Sequence, residues 1–262
     1  MEITTLDDYF RNYLNMTSKV NQNVKRLIIS MLQSNTFSSL NKSRKDFIFS
    51  VLWHILSIKG KINFMQLARL SPYCEQTHRI QFEQEFDFLA FNKLLSENIV
   101  GKDRIIAFDP SYIPKSGKET YGRGKFWSGS DKASKWGLDI CGFAVVDVEN
   151  KTAFQYNRSR FQIEFLYRDA KQHTGLTDCQ ARSENKLDFH FNASLTAVNL
   201  AKYDWVSSMP TDKTPFSMAN YKTFFNNTLM LDRFICRFAI NPNSAKNQKI
   251  VKELLEWGRI AA

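Results

Sequence analysis

The sequence predicts an α/β protein with a helical region at each end of the chain and strands between them. Residues 1–98 carry apolar residues at helical spacing, show no strong strand pattern and contain one proline, Pro72. Runs such as "RIIAF" and "GFAVVD" follow, and their β-branched and aromatic residues are typical of strands. Helical spacing then returns for the rest of the chain. We predict three parts, namely 1–98, 101–205 and 206–262.

Charge is the next informative property of the chain. Lys and Arg number 36 against 26 Asp and Glu, which gives a net charge of +10. An excess of this size favours a polyanionic partner, with nucleic acid preferred to a membrane surface. No uncharged run approaches the roughly 18 residues of a membrane span, and the acidic start "MEITTLDDYF" does not resemble a signal peptide. We therefore predict a cytoplasmic, nucleoid-associated protein that has no membrane partner.

The N-terminal region leaves two interpretations open. An apolar helix is predicted over 45–60, ended by Gly60, and shorter helices with scattered bases such as Arg69 and Arg79 follow. Short helices of this kind fit a helix-turn-helix DNA-binding module. They fit a plain helical bundle equally well. The four cysteines show no metal-binding spacing and are predicted to be small buried residues.

A candidate catalytic acid lies where the first predicted strand ends. The apolar run before Asp109-Pro110 predicts a buried strand, and a strand can hold a carboxylate rigidly. The alternative is that Asp109 merely begins a turn. The predicted loop over 111–136 holds six Lys or Arg against two acids, interleaved with aromatic residues. Such loops can follow phosphates and stack on bases, so Lys115 and Lys118 are predicted to contact DNA.

A second acid lies on a predicted helix over 158–173, after a predicted hairpin that has strands at 138–148 and 152–156. The polar residues of this helix recur at i, i+4, i+8 and i+11 and share one face. They are Arg160, Glu164, Arg168 and Lys171. Such a face is either an ordinary solvated surface with an i, i+4 ion pair or the wall of a metal site on DNA.

The spacing of Arg160, Glu164 and Lys171 resembles one family signature. It matches the Tyr-x2-Arg-x3-Glu-x6-Lys pattern of DDE-type insertion-sequence transposases, although the tyrosine position falls on Asn157 and Tyr156 lies one place early. The segment "FDPSYIPKSGK" is similar to the first catalytic strand of that family, and "HFNASLTAVNLAK" is also similar to it.

The resemblance implies an RNase-H-like catalytic domain over 101–205, with a mixed sheet flanked by helices and three carboxylates around two Mg²⁺ or Mn²⁺ ions. It makes Asp109 and Glu164 catalytic metal ligands. It also implies that Arg160 and Lys171, beside the last acid, bind DNA phosphates. Arg168 on the same helix and the loop residues Lys115 and Lys118 are the further predicted DNA contacts. The implied partner is double-stranded DNA, at the element ends and at the target. Pairing two ends would suit a homodimer.

The second aspartate of that family has no clear counterpart here. Between Asp109 and Glu164 there is no room for a further acid-bearing strand and the β-rich insertion that follows it in the family. Asp147 lies at the predicted hairpin turn and Asp139 lies mid-strand, so neither is expected to substitute. We predict an internal deletion that joins "KTAFQY" to "NRSRFQIEF" and truncates the sheet.

Three interpretations of function follow. The first is a transposase whose strand cleavage is impaired. The second is a non-catalytic DNA-binding remnant that competes for element ends. The third is an unrelated basic helical protein in which the motif matches are coincidental.

Overall fold

The computed structural model describes residues 22–97, 104–147, 156–207, 216–242 and 244–260. The side chains of residues 22, 104–105, 146–147 and 156–163 lie outside that description. The described α-helices are α1 (Gln22–Gln33), α2 (Lys42–Ser57), α3 (Phe64–Leu70), α4 (Glu75–Gln81), α5 (Phe88–Glu97), α6 (Tyr156–His173), α7 (Glu184–Ser207), α8 (Met218–Phe238) and α9 (Ala245–Glu256). The described strands are β1 (Arg104–Pro114), β2 (Gly124–Ser128) and β3 (Ala133–Asp147).

The prediction of an α/β protein is confirmed at this level. The described residues fall into two compact units, one from Met1–Lys59 with Leu200–Ala262 and the other from Gly60–Asn199. The three-part division made from the sequence stays a prediction. The apolar helix predicted over 45–60 is α2, which ends at Ser57, and Gly60 follows at a φ of +90°.

The sheet of the Gly60–Asn199 unit has the strand order β1-β3-β2. Both pairings are antiparallel, so the mixed sheet expected from the sequence is wrong for the described strands. The long strand β3 pairs with β2 through its first residues and with β1 through the rest. Gly137 is where these pairings meet, opposite both Pro114 and Gly124. A Cβ there would collide with the Ile113 carbonyl oxygen, which explains why glycine occupies the position.

Helix α6 packs on one face of this sheet. Tyr167 is 4% exposed, and its hydroxyl donates to the Asp109 carbonyl oxygen at 2.8 Å. Gly142, opposite Asp109 on β3, makes room for the tyrosine, because a Cβ there would lie 2.5 Å from the Tyr167 hydroxyl oxygen. The helix ends as predicted before Gly175, which has a φ of +74°.

The opposite face of β1 and β3 is apolar and exposed. Phe108 and Phe143 pair across the two strands with ring centroids 5.1 Å apart, and Ile106 and Val145 pair beside them. Ile106 is 70% exposed and Phe143 is 71% exposed. The prediction that β1 is a buried strand is therefore wrong on this face, because no described element covers it.

The other unit is helical. Its helix α2 is buried at every residue from Phe47 to Ser57. Two side chains of α8 cap the C-terminal carbonyls of α2. Lys222 donates to the Ile55 oxygen, and Asn226 donates to the Ser57 oxygen at 2.9 Å. A cation at this end of a helix also complements the helix dipole.

The Phe-rich helix α8 is only partly interior. The helical spacing of its four phenylalanines predicts that all of them are interior. Phe224 and Phe225 are buried as this spacing predicts, and Phe225 packs edge-on against Trp53 with ring centroids 5.5 Å apart. For Phe234 and Phe238 the prediction is wrong, because both are exposed. Three of the four cysteines are likewise exposed, and Cys179 is the buried one.

Asp204 on α7 is predicted to make the stability of this unit depend on pH. Burial raises the pKa of its carboxyl to about 6, above the ordinary value near 4 in an unfolded chain. The folded state therefore binds this proton more tightly, so the group's contribution to the unfolding free energy rises as pH falls from about 6 to about 4. We expect Asp204→Asn to stabilise the protein at pH 7 by about 1 kcal/mol, after allowance for solvent screening.

Urea denaturation of both proteins at pH 4, 5, 6 and 7 checks this prediction. The stabilising effect of the substitution should be largest at pH 7 and should vanish near pH 4. A difference in unfolding free energy that stays constant across this range would contradict it.

Candidate functional site

A cleft of about 330 Å³ lies between β1 and α6. The side chains that line this β1–α6 cleft are Asp109, Ser111, Glu164, Tyr167, Arg168, Lys171 and Gln172. Four of them, Asp109, Glu164, Arg168 and Lys171, are predicted from the sequence to be site residues. The two candidate acids are far apart in the chain, and their side chains line the same cleft.

Strand β1 places Asp109 by the ordinary alternation of side chains. Asp109 and Ser111 project toward α6 because alternate residues of a strand face the same side. The interpretation of Asp109 as the start of a turn is wrong, since β1 continues to Pro114. The Tyr167 hydroxyl bond to the Asp109 carbonyl oxygen fixes the backbone of this residue against the helix. Burial, with smaller contributions from neighbouring acidic groups, raises the pKa of Tyr167 to about 12, so the hydroxyl stays a donor.

Helix α6 supplies the other wall. Glu164, Arg168 and Lys171 share one face, as their spacing predicts, and Glu164 is exposed. The Lys171 ammonium donates to the Ser111 hydroxyl at 2.9 Å and to the Tyr112 carbonyl oxygen at 3.0 Å. An ammonium has three N–H groups, so one remains for a ligand in the cleft. Burial lowers the pKa of Lys171.

Arg168 contributes a second cation, which is paired with Asp169 and is still about half exposed. Its guanidinium lies 4.6 Å from the Phe165 ring centroid and 3.1 Å from a carboxylate oxygen of Asp169. The Arg168 side chain is 54% exposed, whereas that of Asp169 is 6% exposed. A guanidinium in this position can exchange some solvent contact for a phosphate oxygen, which it binds in a bidentate geometry.

The cleft contains two carboxylates, and the described residues do not supply a third. Asp139 lies opposite Tyr112 and so projects from the other face of the sheet. Asp147 lies opposite Arg104, five residues along β1 from Asp109, or about 16 Å away. Among the described residues no three His, Cys, Asp or Glu side chains are grouped to hold a metal ion.

These residues do not fit the pair of metal ions that the family resemblance implies. Two carboxylates are a donor set through which a single Mg²⁺ is commonly bound, with water and phosphate oxygens completing its shell. The metal-ligand role of Asp109 and Glu164 stays a prediction.

Two other predicted DNA-binding residues, Lys115 and Lys118, lie outside the cleft lining. Lys115 donates to the Cys179 carbonyl oxygen, and burial lowers the pKa of its ammonium. Lys118 is exposed on the turn that follows β1. Arg160 belongs to α6, but its side chain lies outside the described residues. The roles assigned to these three residues stay predictions.

The β2–β3 hairpin forms where the sequence predicted a basic loop with aromatic residues. The segment 111–136 was interpreted as a loop, yet it contains the rest of β1, all of β2 and the start of β3. Trp127 and Trp136 project from the same face of the hairpin, and they are 65% and 50% exposed. The Arg123 guanidinium lies 4.4 Å from the Trp136 ring centroid. The adjacent aromatic residues of "GKFWS", which are typical of strands, were the signal that could have revealed this strand.

Comparison with known proteins does not add to these observations. No family model, curated protein or solved structure matches the chain. Membership of the transposase family therefore stays a prediction. None of the helices in the described ranges has both the length and the apolar character required to cross a membrane.

Proposed function

We propose that this protein is an insertion-sequence transposase of the DDE type that binds DNA at element ends, and that its strand cleavage is impaired. The observation that carries the proposal is the convergence of Asp109 and Glu164 in one cleft beside Arg168 and Lys171. Under this proposal β1, β3 and α6 are the retained part of an RNase-H-like domain. The junction of the proposed deletion adjoins residues 148–155, which lie outside the described part of the chain.

The chemistry of the cleft supports a phosphodiester ligand. Arg168 and Lys171 place two positive charges beside two acids, and cations of this kind neutralise DNA phosphates. A Mg²⁺ or Mn²⁺ ion held by Asp109 and Glu164 would supply Lewis-acid polarisation of a phosphate oxygen. Lys171 is anchored to Ser111 and Tyr112, so it would meet a phosphate in a fixed position. Two-metal transfer calls for a further acid, and this need is why impaired cleavage is part of the proposal.

The hairpin provides a second surface that suits nucleic acid. Exposed tryptophans can stack on unpaired nucleobases, and the neighbouring basic residues Arg123 and Lys125 can contact the phosphate backbone of the nucleic acid. The Lys125 ammonium lies 5.7 Å from the Trp136 ring centroid. The net charge of +10 favours the same class of partner.

A non-catalytic remnant that competes for element ends is the second candidate. The feature that favours it is the presence of only two acids in the cleft, as far as the described residues show. Both candidates require binding to DNA at the element ends, and they differ in whether any cleavage follows.

Binding is tested with Arg168→Gln on a labelled duplex that carries the DNA flanking the gene. We expect the substitution to weaken binding several-fold and to reduce the slope of log K against log salt by about 0.9, the value for one phosphate contact. Lys93→Gln is the matched control, because it removes one positive charge from an exposed position on α5 outside the cleft. Fluorescence anisotropy at four salt concentrations measures both quantities. Equal losses in the two variants would mean that the cleft has no special role in binding DNA.

A further inference from the structure

A second and larger cavity lies in the same unit, and the proposed function does not use it. Its volume is about 660 Å³, within the range of small-molecule sites in proteins. It lies between the 84–88 segment, Tyr121, the 138–140 part of β3 and the first turns of α7. It shares no lining residue with the β1–α6 cleft.

The floor of this cavity is aromatic. Phe88, Phe189 and Phe191 are buried beneath it, and Phe86 stands at its side. The rings of Phe88 and Phe189 meet edge-on with centroids 5.1 Å apart, and those of Phe86 and Phe88 meet edge-on at 4.8 Å. These contacts hold the ring positions, so the apolar surface is preformed.

The rim of the cavity is acidic. Its carboxylates are Glu85, Asp87, Asp139, Glu184 and Asp188, and no Lys or Arg belongs to its lining. This concentration of negative charge occurs in a chain whose net charge is +10. Burial raises the pKa of Asp188, and the charges of Glu184 and Glu85 raise it further, although a hydrogen bond from Asn192 opposes the shift. The acids therefore repel one another, and a bound cation would relieve that repulsion.

The arrangement decides which kind of cation fits. The acids come from three separate segments of the chain, and no three metal-ligating side chains are grouped among the described residues. A single metal ion is therefore not matched to this site. Spread carboxylates above an aromatic floor suit an extended organic cation, because its ammonium groups pair with the acids. The methylene groups between them gain by covering apolar surface.

We propose that this cavity binds a linear aliphatic polyamine of the spermidine type. Glu85, Glu184 and Asp188 bind its ammonium groups, and the phenylalanine floor packs against its methylene groups. The proposal is independent of the Asp109–Glu164 cleft, so neither assignment depends on the other.

The test is isothermal titration of the nucleic-acid-free full-length protein with spermidine at constant ionic strength. We expect saturable binding that Mg²⁺ at the same ionic strength does not displace. The variant Glu85→Gln/Asp188→Asn should bind spermidine about tenfold more weakly, since two charge contacts are lost. The matched control Glu97→Gln/Glu119→Gln removes two exposed acids outside the cavity and should bind as the unmodified protein does.

A third variant tests the contribution of the aromatic floor to spermidine binding separately from that of the acids. Phe86→Ala should weaken spermidine binding while it leaves the acids in place, and thermal unfolding confirms that each variant is folded. Equal binding by the acid variant and its control, or full displacement by Mg²⁺, would mean general attraction of cations and would overturn the proposal. Absence of binding to the folded, unmodified protein would overturn it as well.

Discussion

Replacing Asp232 by alanine is expected to lower the unfolding free energy by about 3–5 kcal/mol, the usual cost of removing one partner from a buried ion pair. The Lys25 ammonium lies 3.2 Å from an Asp232 carboxylate oxygen, and these side chains are 0% and 6% exposed. Burial lowers the pKa of Lys25 and raises that of Asp232 to about 6, while the attraction between the two groups opposes both shifts. Without Asp232, the buried Lys25 charge loses the carboxylate that offsets its desolvation.

Urea denaturation at pH 7 measures this effect. The double variant Lys25→Met/Asp232→Leu removes both charges and should lie much closer to the unmodified protein, because apolar replacement of a buried pair is often neutral. Glu253→Ala is the matched control, since it removes the acid of an exposed pair with Lys249 and should cost almost nothing. A loss for Asp232→Ala as small as that of the control would contradict the account.

The second large effect is expected from Gly142→Ala, which should destabilise the protein by about 1–3 kcal/mol, as overpacking does. The new methyl group would lie 2.5 Å from the Tyr167 hydroxyl oxygen and 3.1 Å from the ring carbon that bears it. Either α6 or β3 must move to relieve this contact. Because Tyr167 ties α6 to the Asp109 backbone, the movement should also separate Asp109 from Glu164 and weaken DNA binding.

The control for Gly142→Ala is Gly129→Ala, where no atom lies near the added methyl group. Tyr167→Phe in the Gly142→Ala background removes the closest contact, so the cost of the pair should be smaller than the sum of the two single costs. Thermal unfolding and DNA affinity are measured on all four variants. Additive costs would show that the methyl group and the hydroxyl do not meet.

The positions of the long helices were predictable because apolar residues recur in them at helical spacing. The helices α2 and α6 occur where that pattern predicts them, and α7 and α8 lie in the part of the chain where helical spacing returns. The shared face of Glu164, Arg168 and Lys171 follows from helical geometry alone. The position of Asp109 beside that face could not be predicted from helical geometry, because it depends on how a strand and a distant helix pack. The family resemblance was the only sequence argument for it.

Exposure was the least predictable property, because it depends on which neighbours cover a face. Phe234 and Phe238 have the spacing of an interior stripe, and Ile106 and Phe108 have the composition of a buried strand, yet all four are exposed. The acidic cavity was not foreseen either. Its lining residues come from separate segments, and no local pattern in any one of them indicates a shared site.

The most direct test of the Asp109–Glu164 site uses supercoiled plasmid carrying the DNA that flanks the gene, with Mg²⁺ and Mn²⁺ supplied in turn. Nicked product is measured on gels, and plasmid binding is measured in parallel, for the unmodified protein, Asp109→Asn and Glu164→Gln. We predict that the unmodified protein binds the flanking DNA and nicks it only weakly or not at all, and that any nicking disappears in both variants. Efficient nicking that depends on both acids would mean that two carboxylates suffice and would contradict the impairment. Failure to bind the flanking DNA, or nicking that survives both substitutions, would contradict the assignment of this cleft.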